Sequence, residues 1–250
     1  MTAPIAVQLY SLREDLAQDF AGTVRRVAAL GYAGVEPFGN PDNLAEAAAL
    51  YKELGLTVPS AHMAIPLGDN QDRTLEIAAA YGLKRVILPG LDRWETVDAV
   101  KLSCERYNEA YAFCAAHGLA FGVHNHWWEF LPLDEAGTAG FDILIEELDP
   151  HIFFEVDTYW VQVGGRDPVK TVADLGARAP LLHIKDGPAN REEAMVAVGD
   201  GVLDVPAIIQ AGGDHTEWLV VELDRCDTDM AAAVAQSYTY LVEHGLGRGK

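Results

Sequence analysis

The sequence contains no run of about 18 uncharged apolar residues, which excludes a membrane-spanning helix. Basic residues are scarce: 18 Lys and Arg stand against 38 Asp and Glu, a formal net charge of −20. A chain this acidic repels phosphate backbones and anionic lipid alike, which argues against nucleic acid and membrane surfaces as partners. Cysteine is scarce too. Cys104, Cys114 and Cys226 are odd in number and lack CxxC spacing, so they read as reduced thiols rather than a disulfide framework or a zinc site. The first residues, Met1-Thr2-Ala3-Pro4-Ile5, lack a basic segment and a long apolar one. No secretory signal is therefore visible, and a cytoplasmic location is expected. Linkers and low-complexity tracts are also missing, which predicts one domain over residues 1–250.

Half of the residues are hydrophobic, enough for a large core. Short apolar runs recur at 5–10, 34–37, 57–62, 85–89, 120–124, 152–157, 181–185 and 219–223. Several are unbroken aliphatic strings, such as Val86-Ile87-Leu88 and Leu219-Val220-Val221, as parallel strands buried on both faces require. Helical patterns lie between them at 20–30, 44–54, 73–81, 97–117, 141–148, 168–177, 205–211 and 230–244. The first four end at Gly31, Gly55, Gly82 and Gly118, each a stop signal before the next run. Helix, glycine, strand is the order of βα units. Eight such units in 250 residues predict an α/β fold, the (β/α)₈ TIM barrel, typically about 250 residues long. A doubly wound open sheet is the alternative, but no Gly-rich phosphate fingerprint follows the first run.

In such a barrel the C-terminal strand ends build the active site. Here those ends are polar: Gln8, Glu36, His62, then His124-Asn125-His126 with Glu129 close behind, Glu155 and Asp157, His183 and Lys185, and Glu222. Taken singly, a strand-end histidine is more often a satisfied hydrogen-bonding residue than a ligand. Asp186 and Asp224 read as helix N-caps. Together, seven of the eight runs deliver an acid, an amide or an imidazole at the same end, aimed at one axis. Alternation puts Glu155 and Asp157 on one face, with Asp157 nearer the mouth, and likewise pairs His124 with His126 and His183 with Lys185. Carboxylates and imidazoles from neighbouring strands make a mixed N/O set suited to Mn²⁺, Mg²⁺, Co²⁺ or Zn²⁺.

The chain resembles the sugar phosphate isomerase/epimerase family, xylose-isomerase-like TIM barrels that also include inosose dehydratases and ketose 3-epimerases. The resemblance runs nearly end to end. It is carried by Gln8-Leu9-Tyr10-Ser11-Leu12-Arg13, Gly31-Tyr32-Ala33-Gly34-Val35-Glu36, Asp157-Thr158-Tyr159-Trp160, Gly164-Gly165-Arg166-Asp167-Pro168, Leu182-His183-Ile184-Lys185-Asp186, Val198-Gly199-Asp200-Gly201 and Val221-Glu222. It implies one divalent metal ion, Mn²⁺ first among the candidates, held by Asp157, His183, Glu222 and a fourth ligand. Relatives place a glutamate at that fourth position. Here His124 stands there, with Glu129 as a rival. Trp160 stands where many relatives have a histidine, and with Trp127 and Trp128 it offers flat apolar faces on which sugar rings stack.

The implied activity is that of a sugar isomerase or epimerase. A metal polarising a carbonyl and its neighbouring hydroxyl acidifies the C–H between them and stabilises an enediolate. Glu222 with His126 or Glu129 is the expected acid/base pair. Gln8, Glu36, His62, Trp160 and Lys185 are expected to bind substrate. The imidazole-rich site leaves a lyase or dehydratase open, and the departures from the family pattern leave a non-catalytic sugar-binding barrel open. The net charge disfavours an anionic substrate and points to a neutral ketose, polyol-ketone or keto-sugar. A metal-dependent AP endonuclease would need further ligands and a basic face. The apolar 127–131 segment also offers a patch for a homo-oligomer or a lid.

Overall fold

The computed structural model describes residues 2–39 and 41–250. Its short apolar strands are β1 (Ile5–Gln8), β2 (Gly34–Glu36), β3 (Arg85–Leu88), β4 (Ala120–His124), β5 (Phe153–Asp157), β6 (Leu181–Ile184) and β7 (Trp218–Val221). They pair in parallel in the order β2-β1-β7-β6-β5-β4-β3. The crossovers carry α1 (Arg13–Gln18), α2 (Phe20–Leu30), α3 (Leu44–Glu53), α4 (Asn70–Tyr81), α5 (Val97–Ala116), α6 (Gly140–Glu147), α7 (Thr158–Val163), α8 (Pro168–Leu175), α9 (Val205–Gly212) and α10 (Met230–Glu243). Among the described residues no helix is long and apolar enough to cross a membrane.

Among the described residues seven strands stand where eight were expected. Segment 57–62 lies between β2 and β3 without forming a regular strand. Thr57 O accepts from the Val35 N–H at 2.9 Å, the His62 N–H donates to Pro37 O at 2.9 Å, and the Ile87 N–H donates to Ala61 O at 3.0 Å. Pro59, in the middle of the segment, has no N–H to give, so the ladder breaks into isolated bridges.

The eight expected helices are all present, with ends displaced by at most three residues. Their caps follow from sequence. Asp19 accepts from the Gly22 N–H at 2.9 Å to start α2, and Gly31, with φ at +106°, closes it in a conformation that only glycine adopts without strain. The short α1 and α7 were not expected. The second of these begins on the residue after β5, with Asp157 as its N-cap. Asp186 and Asp224 are not helix caps: α9 and α10 start at Asp204 and Asp229.

Alternate strand residues face two different cores. Phe154, Val156, Leu182, Ile184, Leu219 and Val221 join the large core under the helices. Ile87, Phe153 and Leu181 form a separate plug with Trp218 on the other face. Each fully buried side chain of this kind contributes roughly 1.5–3 kcal/mol, enough in sum to support a polar cluster at one end. The register puts that cluster together. Gln8 lies beside Glu36, His124 beside Glu155, and Asp157 beside His183.

Candidate active site

The polar cluster sits above the Phe153–Leu181 plug, where these strands end. Asn125, one residue past β4, clamps the end of β5: its Oδ1 accepts from the Asp157 N–H at 3.0 Å and its Nδ2 donates to Asp157 O at 3.2 Å. The Thr158 hydroxyl then donates to His183 O at 2.9 Å, tying β5 to β6. These contacts set the depth of the Asp157 carboxylate relative to His183.

His124, Asp157, His183 and Glu222 each offer a ligand atom, and the four atoms lie within 4.8 Å of one another, all buried. His183 Nδ1 meets Glu222 Oε2 at 2.9 Å, and its Nε2 meets Glu36 Oε2 at 2.8 Å. His124 Nε2 is 3.7 Å from Asp157 Oδ2. A deeper group shares two of these residues: Glu155 Oε2 lies 2.5 Å from His62 Nε2, 3.1 Å from His183 Nε2 and 3.3 Å from His124 Nδ1. The Lys185 ammonium lies 2.9 Å from Asp157 Oδ2, 2.7 Å from Glu222 Oε2 and 2.6 Å from Asp224 Oδ2.

The cluster sorts its charges. Burial pushes the Glu222 carboxyl up, but Lys185 and His183 outweigh it and hold the group well below the usual carboxylate range. Glu155 follows the same pattern under His183 and His62. Burial pushes His183 down, yet Glu155 and Glu222 keep it protonated far above the ordinary imidazole range. His62 is raised in the same way, burial being outweighed by Glu36 and Glu155. For Asp157 and Glu36 burial wins and both are raised. His124 is driven well down by burial and then by the His183 charge, so it is a neutral imidazole.

This donor set fits a divalent cation. His124 Nδ1 and Glu155 Oε1 are buried without a hydrogen-bond partner, and Asp157 Oδ2 meets Lys185 without hydrogen-bond alignment. Unsatisfied buried polar atoms of this kind are costly, and a coordinated ion is one way to satisfy them. A neutral imidazole with carboxylate oxygens is the chemistry that such ions take.

A cleft of about 630 Å³ opens over the cluster. Its walls include His62, His124, His126, Glu222 and Asp224, with Tyr10, Phe38 and Trp128 as the aromatic faces; among the described lining residues there is no Lys or Arg. A separate apolar groove of about 330 Å³ between α2 and α10 carries none of this chemistry.

The cleft divides the expected site residues. His62, His124, His126 and Glu222 line it. Gln8 and Glu36 do not: both are fully buried, Gln8 donating to Glu36 at 2.9 Å. Lys185 is held down by its three carboxylates, and Trp160 lies behind it, the ammonium 5.6 Å from the indole ring. Trp160 thus packs against the core instead of walling the cleft. Glu129 is buried behind His126, with its Oε2 accepting the His126 N–H at 2.8 Å. Trp128 stacks on the His126 ring, centroids 4.1 Å apart, while Trp127 turns to Arg191.

Other residues were not singled out from sequence. Ser60 donates to Glu36, and Tyr10 and Phe38 pack edge to face at the mouth. The closeness of each to a polar strand end was the available signal. Asp224 is an ion-pair partner, and Asp186 gathers the N–H groups of Gly187, Gly199, Gly201 and Leu203 at 2.8–3.2 Å. It is the latch of the 187–203 loop.

A family model described as xylose isomerase-like TIM barrel matches residues 24–241. Among curated proteins none matches the sequence significantly. Solved structures do. A sugar phosphate isomerase/epimerase from Parabacteroides distasonis superposes with a TM-score of 0.83 at 26% identity, over 96% of this chain and 94% of that one. The 3-keto-D-glucoside 4-epimerase of E. coli superposes with a TM-score of 0.69 at 20% identity, over 96% and 99%. The probable 3-DHS dehydratase of Bacillus anthracis gives 0.74 at 14% identity, over 96% and 98%. At such identities the last two show a shared fold.

Proposed function

This chain belongs to the family of xylose isomerase-like TIM barrels, and from that membership we propose that it is a divalent-metal-dependent isomerase or epimerase acting on a neutral ketose, polyol-ketone or keto-sugar. We read residues 1–250 as one working unit in the cytoplasm, with segment 57–62 as the eighth stave. The observation that carries the function is the buried N/O set of His124, Asp157, His183 and Glu222 beneath a cleft with no Lys or Arg among its described lining residues.

Those four residues would hold the ion, with His124 as the fourth ligand, because Glu129 is committed to the His126 backbone. Mn²⁺ leads the candidates. When bound, the ion supplies Lewis acidity that weakens the C–H bond beside a carbonyl. Glu222 reaches the cleft in its ionised form and removes that proton. His126, held by Glu129 beneath and Trp128 alongside, faces the cleft as the group that returns one. Trp128, Tyr10 and Phe38 present apolar faces to the C–H side of a sugar. With no Lys or Arg among its described lining residues, the cleft lacks the side chains that usually grip a phosphate.

A second reading, a lyase or dehydratase of the same substrate class, is favoured by one observation. His62 lines the cleft and is kept protonated by Glu36 and Glu155, an acid suited to a departing hydroxyl. Both readings begin with loss of a C–H proton.

The test is the Mn²⁺-loaded protein in D₂O with a panel of ketoses and keto-glycosides, followed by NMR. Exchange of the C–H proton beside the carbonyl is expected, with an epimer or isomer as product. An unsaturated product instead would select the lyase. Sugar binding without exchange across the panel would overturn the enzymatic reading and leave a binding module.

A further inference from the structure

The Lys185 ammonium stands where a divalent ion at this centre would need to make contact. It lies 2.9 Å from Asp157 Oδ2 and 2.7 Å from Glu222 Oε2, and both residues belong to the four-residue set. Asp157 has no second free oxygen, since its Oδ1 accepts the Trp160 N–H at 2.9 Å to cap α7. A tethered monovalent cation and a free divalent one therefore face the same Asp157 oxygen and the same Glu222 carboxylate. Asp224 holds the ammonium from the other side at 2.6 Å. It lines the cleft with 31% of its side chain exposed, whereas Lys185 is 1% exposed, and it is outside the ligand set.

Resting on the reading that a divalent ion binds here, we propose that Lys185 is a resident counter-cation that the metal displaces, and that Asp224 is the anchor onto which the ammonium withdraws. Two buried carboxylates without a cation are costly. In the metal-free chain the ammonium neutralises Asp157 and Glu222 and keeps them spread for an incoming ion. A divalent ion binds both carboxylates with twice the charge and repels the ammonium. The flexible lysine stem lets the head pivot while its base stays fixed beside β6. Asp224 already holds a share of it, so the pivot ends on a formed ion pair and leaves no free charge. Because Asp224 borders the cleft, that movement carries the amine toward substrate. The site thus presents the Lys185 amine to a sugar oxygen only once the metal is seated.

The test uses full-length protein stripped with EDTA and titrated with Mn²⁺ by calorimetry. Lys185→Met is expected to bind Mn²⁺ tighter by on the order of tenfold, as for a competitor removed. Asp224→Asn is expected to bind several-fold more weakly, and in the double variant the Asp224 change loses most of its effect. A lysine that merely buttresses the ligands gives weaker or unchanged binding in Lys185→Met, and that result overturns the proposal. Should Lys185→Met fail to fold, Lys185→Gln takes its place; should that also fail, Asp224→Asn decides, and unchanged or tighter Mn²⁺ binding overturns it. No Mn²⁺ uptake by the wild type or any variant overturns the metal reading itself.

Discussion

Glu222 is useful because its surroundings oppose its burial. It is 5% exposed, yet Lys185 and His183 keep it ionised, so a carboxylate base is available at neutral pH without being solvated. Glu222→Gln keeps the shape and removes the charge. It is expected to lower turnover by about 10²–10⁴-fold, the usual worth of a positioned general base, while the far-ultraviolet spectrum stays native. Unimpaired turnover in that variant would remove Glu222 from the chemistry. At this scale the sequence was most informative where a polar residue ended an apolar run, as with Asp157, His183 and Glu222. His124 and Glu129 both carry ligand chemistry, and no periodic pattern separates a strand end from the loop five residues on. Their separation depends on Glu129 folding back onto the His126 N–H, a contact within a 3₁₀ turn.

Among the elements, the loop between β6 and α9 depends most on a single side chain. Asp186 is 1% exposed and accepts four backbone N–H groups from 187–203. Asp186→Ala leaves these donors without their acceptor. We expect a loss of about 2–4 kcal/mol, given that a hydrogen bond to a charged group is worth about 1.5–3 kcal/mol, and new protease sensitivity confined to 187–203. Uniform loss of protection across the sheet would argue for a different role. On the inner face of β4, a β-carbon on Gly122 would drive into the Phe153 ring. Gly122→Val is expected to cost several kcal/mol in chemical denaturation, because the plug has no room to yield. Element boundaries were legible wherever a cap or a glycine stop stood in the sequence. Segment 57–62 has the apolar pattern of a strand but forms only isolated bridges, because Pro59 interrupts the ladder.

For the whole molecule, alkaline pH exposes how the core treats acids. Burial raises the Cys104 and Cys114 thiols from 9.0 to about 12, and it raises Tyr81 from 10.0 to about 12. The folded chain therefore holds protons that the unfolded chain has already released. The stabilisation from the thiols is full below about pH 9 and is lost as pH climbs toward 12, with Tyr81 adding to the loss above pH 10. Denaturation midpoints should fall steadily over that window, and a flat profile would contradict these burials. In the native state at pH 8 a thiol reagent should label Cys226, which is only half buried, well ahead of Cys104 and Cys114.

The sequence by itself determined the helix-strand alternation, the parallel sheet, the net acidity, and which strand ends carry acids and imidazoles. These are local properties: periodicity, caps and residue type act within a few positions of the chain. Only the tertiary structure decided which of those residues meet a cleft and which lie beneath it. Lys185 and Glu222 are 37 positions apart and Glu36 and His183 are 147, so no spacing rule relates them. Their contacts arise from strand register and from competition among buried charges for a small number of partners, and both exist only once the sheet has formed.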